Sequence, residues 1–211
     1  MAFGTFDLTS TTSDSRYPAA GTVGGQRVTL RLMDATDGDG ILAFARALPE
    51  HDLLFLRRDI TQPDQVETWV RRIEAGVTTS LLVLDQDDSI AGYATVDGSD
   101  LPWSQHVAEL RVLVGPTLRG RGIGRLLTEE AFRIALGMGV DKIIGQMTVD
   151  QHEAIAVFRS LGFQPEALLR DHVKDREGEK HDLVILSHDV AAAQRTMAAV
   201  GVLDAVSENQ G

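Results

Sequence analysis

The run Val112-Leu113-Val114-Gly115-Pro116-Thr117-Leu118-Arg119-Gly120-Arg121-Gly122-Ile123-Gly124-Arg125 carries the reading of this chain. A β-rich segment feeds a loop with glycines at 120, 122 and 124. The loop opens an amphipathic helix with Ile123, Leu126, Leu127, Ala131, Ile134, Ala135 and Met138 on one face. Glycine lets a backbone approach a ligand and take angles closed to other residues. The first N–H groups of a helix have no internal partner and sit at the positive end of its dipole, so such a loop seats a phosphate or pyrophosphate. Arg119, Arg121 and Arg125 add fixed positive charge. A tight turn with solvated arginines is the plainer reading; the strand before and the helix after favour an anion site. The Walker pattern GxxxxGK[ST] is absent, and the dinucleotide pattern GxGxxG fails because Arg125, Leu126 and Leu127 follow Gly124.

Outward from the loop, the periods change in a regular order. Residues 27–32 alternate as a strand with one buried face. Ile41, Phe44, Ala45 and Leu48 recur at helical spacing and stop at Pro49. Val66, Trp69, Val70 and Ile73 repeat that spacing behind Pro63, a good first helical residue. Residues 79–84 and 90–96 flank a polar turn and read as a hairpin, and 107–114 and 142–149 as further strands. Ala154, Val157, Phe158 and Leu161 mark a short helix stopped by Gly162; 168–174 and 182–187 close the pattern as two strands. The order β-α-α-β-β-β-α-β-α-β-β predicts an α+β fold of layered α/β/α type, not a doubly wound sheet. Residues 1–25 are rich in Ser, Thr and Gly and are expected to be a flexible tail; 26–189 form the domain. Residues 190–211 form a helical extension whose Val200, Leu203 and Val206 need a surface, which suggests a homodimer.

Composition narrows the function. The 211 residues carry 20 basic and 31 acidic side chains, a net charge of −11, which disfavours nucleic acid as a partner. There is no cysteine, so thiolate metal sites, disulfides and a thiol-borne acyl group are excluded. No histidine pair has metal-ligand spacing, and no metal is expected. No apolar run approaches the roughly 18–20 residues that span a bilayer, and no secretory signal is visible, so a cytoplasmic protein without a membrane partner is expected.

The segment Arg119-Gly120-Arg121-Gly122-Ile123-Gly124 resembles the [Q/R]-x-x-G-x-[G/A] signature of the GNAT acetyltransferase superfamily, and Ala154-Ile155-Ala156-Val157-Phe158-Arg159-Ser160-Leu161-Gly162-Phe163 is similar to its AIxLYxxxGF segment. The element order over 27–189 agrees. The resemblance implies a mostly antiparallel central sheet with two splayed central strands, and an acyl-CoA co-substrate, acetyl-CoA in the first place. It implies a pyrophosphate held by the N–H groups of Arg121, Gly122, Ile123 and Gly124 beside Arg119 and Gly120, with Arg125 near. Leu113 and Val114 would pair with the pantetheine amides, a bulge there aiming one N–H at the thioester carbonyl. Gln151 and Phe158 fall where the family often has Asn and Tyr; Phe158 cannot protonate a leaving thiolate.

Acyl transfer to an amine needs a base. Glu109 lies where the superfamily often places a carboxylate, though a strand carboxylate paired with Arg111 is the bland reading. His152 is the candidate for a replacement acid, ahead of His106. Tyr93 and Trp69 read as core, Trp103 as a possible cleft wall, and Arg57 and Arg58 as contacts for an anionic substrate, for CoA, or for nothing. His172, His181 and His188 fall on the last strands, near the family's acceptor pocket. The reading is direct transfer from acetyl-CoA to a small-molecule or peptide amine; the alternative is a non-catalytic acyl-CoA-binding module.

Overall fold

The computed structural model describes residues 16–54 and 56–192. Eight strands form one sheet in the order β1-β2-β3-β4-β5-β6-β8-β7. They are β1 (Ala19–Val23), β2 (Gln26–Leu32), β3 (Thr78–Leu84), β4 (Ile90–Asp97), β5 (Val107–Val114), β6 (Lys142–Thr148), β7 (Gln164–Lys174) and β8 (Lys180–Asp189). The helices are α1 (Gly38–Ala47), the single turn α2 (Glu50–Leu53), α3 (Pro63–Glu74), α4 (Ile123–Gly137) and α5 (His152–Ser160). No helix among the described residues is long and apolar enough to cross a membrane.

The layers follow from alternation. In β3, Leu81 and Val83 turn to one core while Leu82 and Leu84 turn to the other, so a strand covered on both faces reads as one continuous apolar run. On one face Ile41, Phe44 and Ala45 of α1 and Val66 and Trp69 of α3 close on Leu82, Leu84 and Tyr93. On the other, Ile123, Leu127, Ala131 and Ala135 of α4 and Phe158 of α5 close on Leu81, Val83, Leu110 and Ile143. Full burial of each such side chain contributes about 1.5–3 kcal/mol.

The sheet begins earlier than the sequence reading places it. Ala19–Val23, inside the expected tail, is a strand whose Val23 faces Gln26 across the turn Gly24-Gly25. Both glycines have positive φ (54° and 78°), which a two-residue hairpin of the type I′ class requires. Just before it, the Tyr17 hydroxyl donates to Glu130 Oε2 at 2.7 Å, Arg16 lies 3.6 Å from the same oxygen, and Arg133 bonds Oε1. Glu130 is on α4 and only 1% exposed. Burial, and then that hydrogen bond, push the Tyr17 phenol above its ordinary value, so it stays a donor. Of the helix expected after 190, residues 193 onward lie outside the described residues, as do 1–15 of the tail.

Every neighbouring pair of strands is antiparallel except β5 and β6. Those two run parallel and pair only through 107–110 and 142–145, although β5 continues to Val114 and β6 to Thr148. Beyond that point they splay apart.

Candidate functional site

The splay and the glycine loop meet at the end of β5. Gly122 is the N-cap of α4 with φ 86°, and Gly120 has φ 68°, both in the left-handed region that glycine enters freely. The first internal bond of α4 runs from Leu126 N–H to Gly122 O at 3.0 Å, which leaves the N–H groups of Ile123, Gly124 and Arg125 ahead of the ladder. A Cβ placed on Gly120 meets nothing within 4 Å, so the loop lies open there.

The three arginine side chains go elsewhere. Arg119 donates from Nε to Val114 O at 3.0 Å and reaches Asp52 of α2 at 2.5 Å, and its own N–H is engaged with Pro116 O at 3.4 Å. Arg119 thus braces the loop against β5 and α2, contacts that the local sequence does not disclose. Arg121 donates to Thr117 O and Gly24 O, clasping the β1–β2 turn. Arg125 pairs with Glu129 one turn on, at 2.7 Å. The donors of the loop that remain are backbone N–H groups.

The strand edge is also revised in detail. Gly115 N–H bonds Ala91 O at 2.8 Å, and the alternation of an antiparallel ladder turns the backbone groups of Leu113 the same way, toward β4. Val112 and Val114 therefore point theirs into the gap, and Leu113 does not. The β4–β5 register runs unbroken from Asp97 opposite Glu109 to Gly92 opposite Val114. There is no bulge; parting of β5 from β6 is what frees the N–H groups.

On the α1/α3 face, the same register sets Asp97, Thr95 and Tyr93 of β4 beside Glu109, Arg111 and Leu113 of β5. Over them the segment after α2 lays Leu56, Arg57, Arg58 and Ile60, and together with Trp69 these line a small cleft. Glu109 is 7% exposed, with Arg57 3.2 Å from Oε2 and Arg111 against Oε1. The bland reading of Glu109 as a partner of Arg111 is what this geometry contains, but the group is buried beside the cleft and is no surface carboxylate. Asp97 Oδ1 accepts from Thr78 Oγ1 at 2.7 Å and from Arg58 at 3.3 Å. The Tyr93 ring packs edge-on to Trp69 and Phe44, and burial pushes its phenol up.

His152 and Gln151 are not brought to Glu109. Both are exposed at the start of α5, on the opposite face of the sheet. Phe158 is 4% exposed and packed against Phe163 and Gly145, where a Cβ would lie 2.3 Å from its ring, so it supports the floor of β6. Trp103 is 74% exposed and walls nothing. His181 bonds Asp175 at 2.9 Å in the β7–β8 hairpin, which raises its pKa, and Arg176 of that hairpin reaches Glu50 of α2 at 2.7 Å. The cluster of Asp97 with Arg58 and Arg111 escaped the sequence reading because it depends on strand register; the adjacent arginines at 57 and 58 were its only local signal.

A layered sheet with one parted pair and a glycine loop at the parting defines a class, and comparison with known proteins bears it out. The model of the acetyltransferase (GNAT) family matches residues 35–163. A Bacillus subtilis protein provisionally named a phosphinothricin acetyltransferase is 21% identical over 168 residues, 78% of this chain and 100% of its own. An L-amino acid N-acetyltransferase of Escherichia coli is 28% identical over 115 residues, 54% of this chain and 70% of its own. The structure of a Sinorhizobium meliloti GNAT phosphinothricin acetyltransferase in complex with acetyl-CoA superposes with a TM-score of 0.66 at 20% identity, covering 77% of this chain and 88% of that one. This chain belongs to the GNAT acetyltransferase family and is an N-acetyltransferase.

Proposed function

We propose that the protein transfers an acetyl group from acetyl-CoA directly to a primary amine, with Glu109 as the base. The observation that carries this reading is the glycine loop: unpaired N–H groups at Ile123, Gly124 and Arg125 open a helix beside an unpaired strand edge. Those groups fit a pyrophosphate, and the edge at Val112 and Val114 fits an extended amide chain. Acetyl-CoA when bound supplies the activated acyl group on a thiol that leaves readily. The Val112 N–H, turned into the gap and three residues from Glu109, is placed to donate to a developing oxyanion. Glu109 takes the proton that the amine must lose through water, across roughly 10 Å of strand. No cysteine is present to carry the acyl group. The family relative named for L-amino acids supports an amine acceptor.

Gly124→Val tests the cofactor half. Gly124 lies outside the left-handed region and its added Cβ would sit 3.7 Å from Val114 Cγ2, an ordinary contact, so the fold should persist. CoA binding by titration calorimetry is expected to weaken at least about tenfold. Unchanged affinity with a native melt rejects the pyrophosphate seat. Gly122→Val is a poorer probe, because a side chain at φ 86° costs about 1–2 kcal/mol by itself. The acceptor half is tested by thiol release from acetyl-CoA over a panel of amines; binding of CoA without turnover on any of them speaks for a non-catalytic module.

A further inference from the structure

The loop that opens α4 has little to hold it from within. A Cβ on Gly120 would meet nothing within 4 Å, and the N–H groups of Ile123, Gly124 and Arg125 stand ahead of the helical ladder. A seat built of backbone donors binds well only if they are already in place, because ordering a segment on binding costs affinity. Order is therefore imposed from outside. Arg119 ties one flank of the loop to β5 and α2. The other flank lies against the turn Gly24-Gly25 between β1 and β2. A Cβ built on Gly24 would stand 2.7 Å from both Cβ and O of Arg121 and 2.9 Å from its Cα, so the turn abuts backbone and not the far end of a flexible side chain. Arg121 returns the contact, donating to Gly24 O at 3.5 Å and to Thr117 O of its own loop at 3.4 Å. Beside it, a Cβ on Gly122 would lie 3.7 Å from Val23 Cγ1.

The turn is itself anchored. Val23 is buried in the core that α4 covers, and ahead of β1 the Tyr17 hydroxyl bonds Glu130 of the same helix. Strand β1 is thus pinned both to the body of α4 and to the loop that starts it. Both strands of this hairpin precede residues 35–163, so the segment matched to the family does not include the support. We infer that the β1–β2 turn is a positioning element of the cofactor site. Gly24, by lacking a side chain, lets the turn close on Arg121, and so fixes the path of the chain from Arg121 to Arg125 and the direction of its N–H groups. The inference rests on the acyl-CoA reading for what those groups receive. Gly25 makes no such contact: its φ is 78° against 54° for Gly24, and its Cβ would meet nothing within 4 Å. The two glycines share a left-handed backbone and differ in what a side chain would strike.

That pair of glycines supplies the test, in the full-length protein. Gly24→Ala and Gly25→Ala carry similar backbone strain, but only Gly24→Ala pushes on the loop. Its Kd for CoA by calorimetry and its KM for acetyl-CoA are expected to rise at least about tenfold with kcat little changed, against less than about threefold for Gly25→Ala. Amide exchange is read without CoA. Leu126 N–H, bonded to Gly122 O at 3.0 Å, and Leu118 N–H, bonded to Gly115 O at 3.1 Å, should exchange about tenfold faster in Gly24→Ala than in Gly25→Ala. Unchanged affinity in Gly24→Ala overturns the inference, as does equal exchange in the two glycine variants. Should Gly24→Ala fail to fold, Arg121→Ala decides, since it removes a partly exposed side chain and leaves the turn intact. Faster exchange of the same two amides upholds the inference, and wild-type exchange overturns it. If the wild-type protein binds no CoA, the acyl-CoA reading fails, and exchange still decides whether the turn positions the loop: a difference between the glycine variants upholds this, and equality rejects it.

Discussion

Glu109→Gln is expected to lower kcat/KM about a hundredfold, within the usual range for one acid–base group. The substitution keeps shape and a hydrogen-bond acceptor but removes the capacity to take a proton. Amine acceptors are mostly protonated at neutral pH, so the wild-type kcat/KM should rise toward alkaline pH and level off. In the variant the rise set by the amine should persist below a much lower ceiling. The departing thiolate has a pKa near about 8.5 and leaves without much help. That fits a site in which Phe158 replaces the usual tyrosine and lies in the core under β6. Glu109 also holds Arg57 and Arg111, so its replacement weakens a pairing at a mostly buried edge on the Arg111 side. A melt of the variant separates an unfolded enzyme from an inactive one. Full activity with an unchanged pH profile makes Glu109 a brace for the arginines and nothing more.

The largest effect on stability is expected at Glu130. This carboxylate is buried on α4 and answers Tyr17, Arg16 and Arg133 together. Glu130→Ala removes the acceptor of the Tyr17 hydroxyl and one ion pair of Arg16, at a cost of about 3 kcal/mol. For a chain of this size that is roughly 6–12 °C in Tm. Glu130→Gln should fall between, since an amide oxygen still accepts from Tyr17. The control is Glu129→Ala: its surface pair with Arg125 contributes less than about 0.5 kcal/mol. Equal melting temperatures for the two alanine variants would show that the segment ahead of β1 adds nothing to the domain.

What the sequence discloses and what it withholds divide along physical lines. Helices α1, α3 and α4 are legible because each has an apolar stripe of fixed period and a proline or glycine at its boundary. The glycine loop before α4 is legible because glycine is the residue that such backbone angles select. Strand β1 is not: Ala-Ala-Gly-Thr-Val carries little side-chain signal, and its place is settled by a hairpin turn and by a contact from Tyr17 to Glu130, 113 residues away. The cleft over Glu109 is withheld for a similar reason. Which charges face each other depends on the register of β4 against β5, and a slip of one residue would turn Asp97 to the other face. The side-chain partners of Arg119 and Arg121, Asp52 and Gly24, lie far along the chain, so the local sequence does not show that these two arginines are clasps.

An unpaired strand edge is ordinarily a hazard, because it recruits the edge of another molecule and begins aggregation. This protein keeps such an edge in the middle of its sheet. Only the last four residues of β5, from Arg111 to Val114, lack a neighbour on the β6 side, a length of roughly 13 Å. The mouth is bounded by Arg119, whose guanidinium already covers one carbonyl, and both faces are roofed by helices. The unpaired stretch is thus shorter than an ordinary strand and covered on both faces, a poor template for the edge of a second sheet.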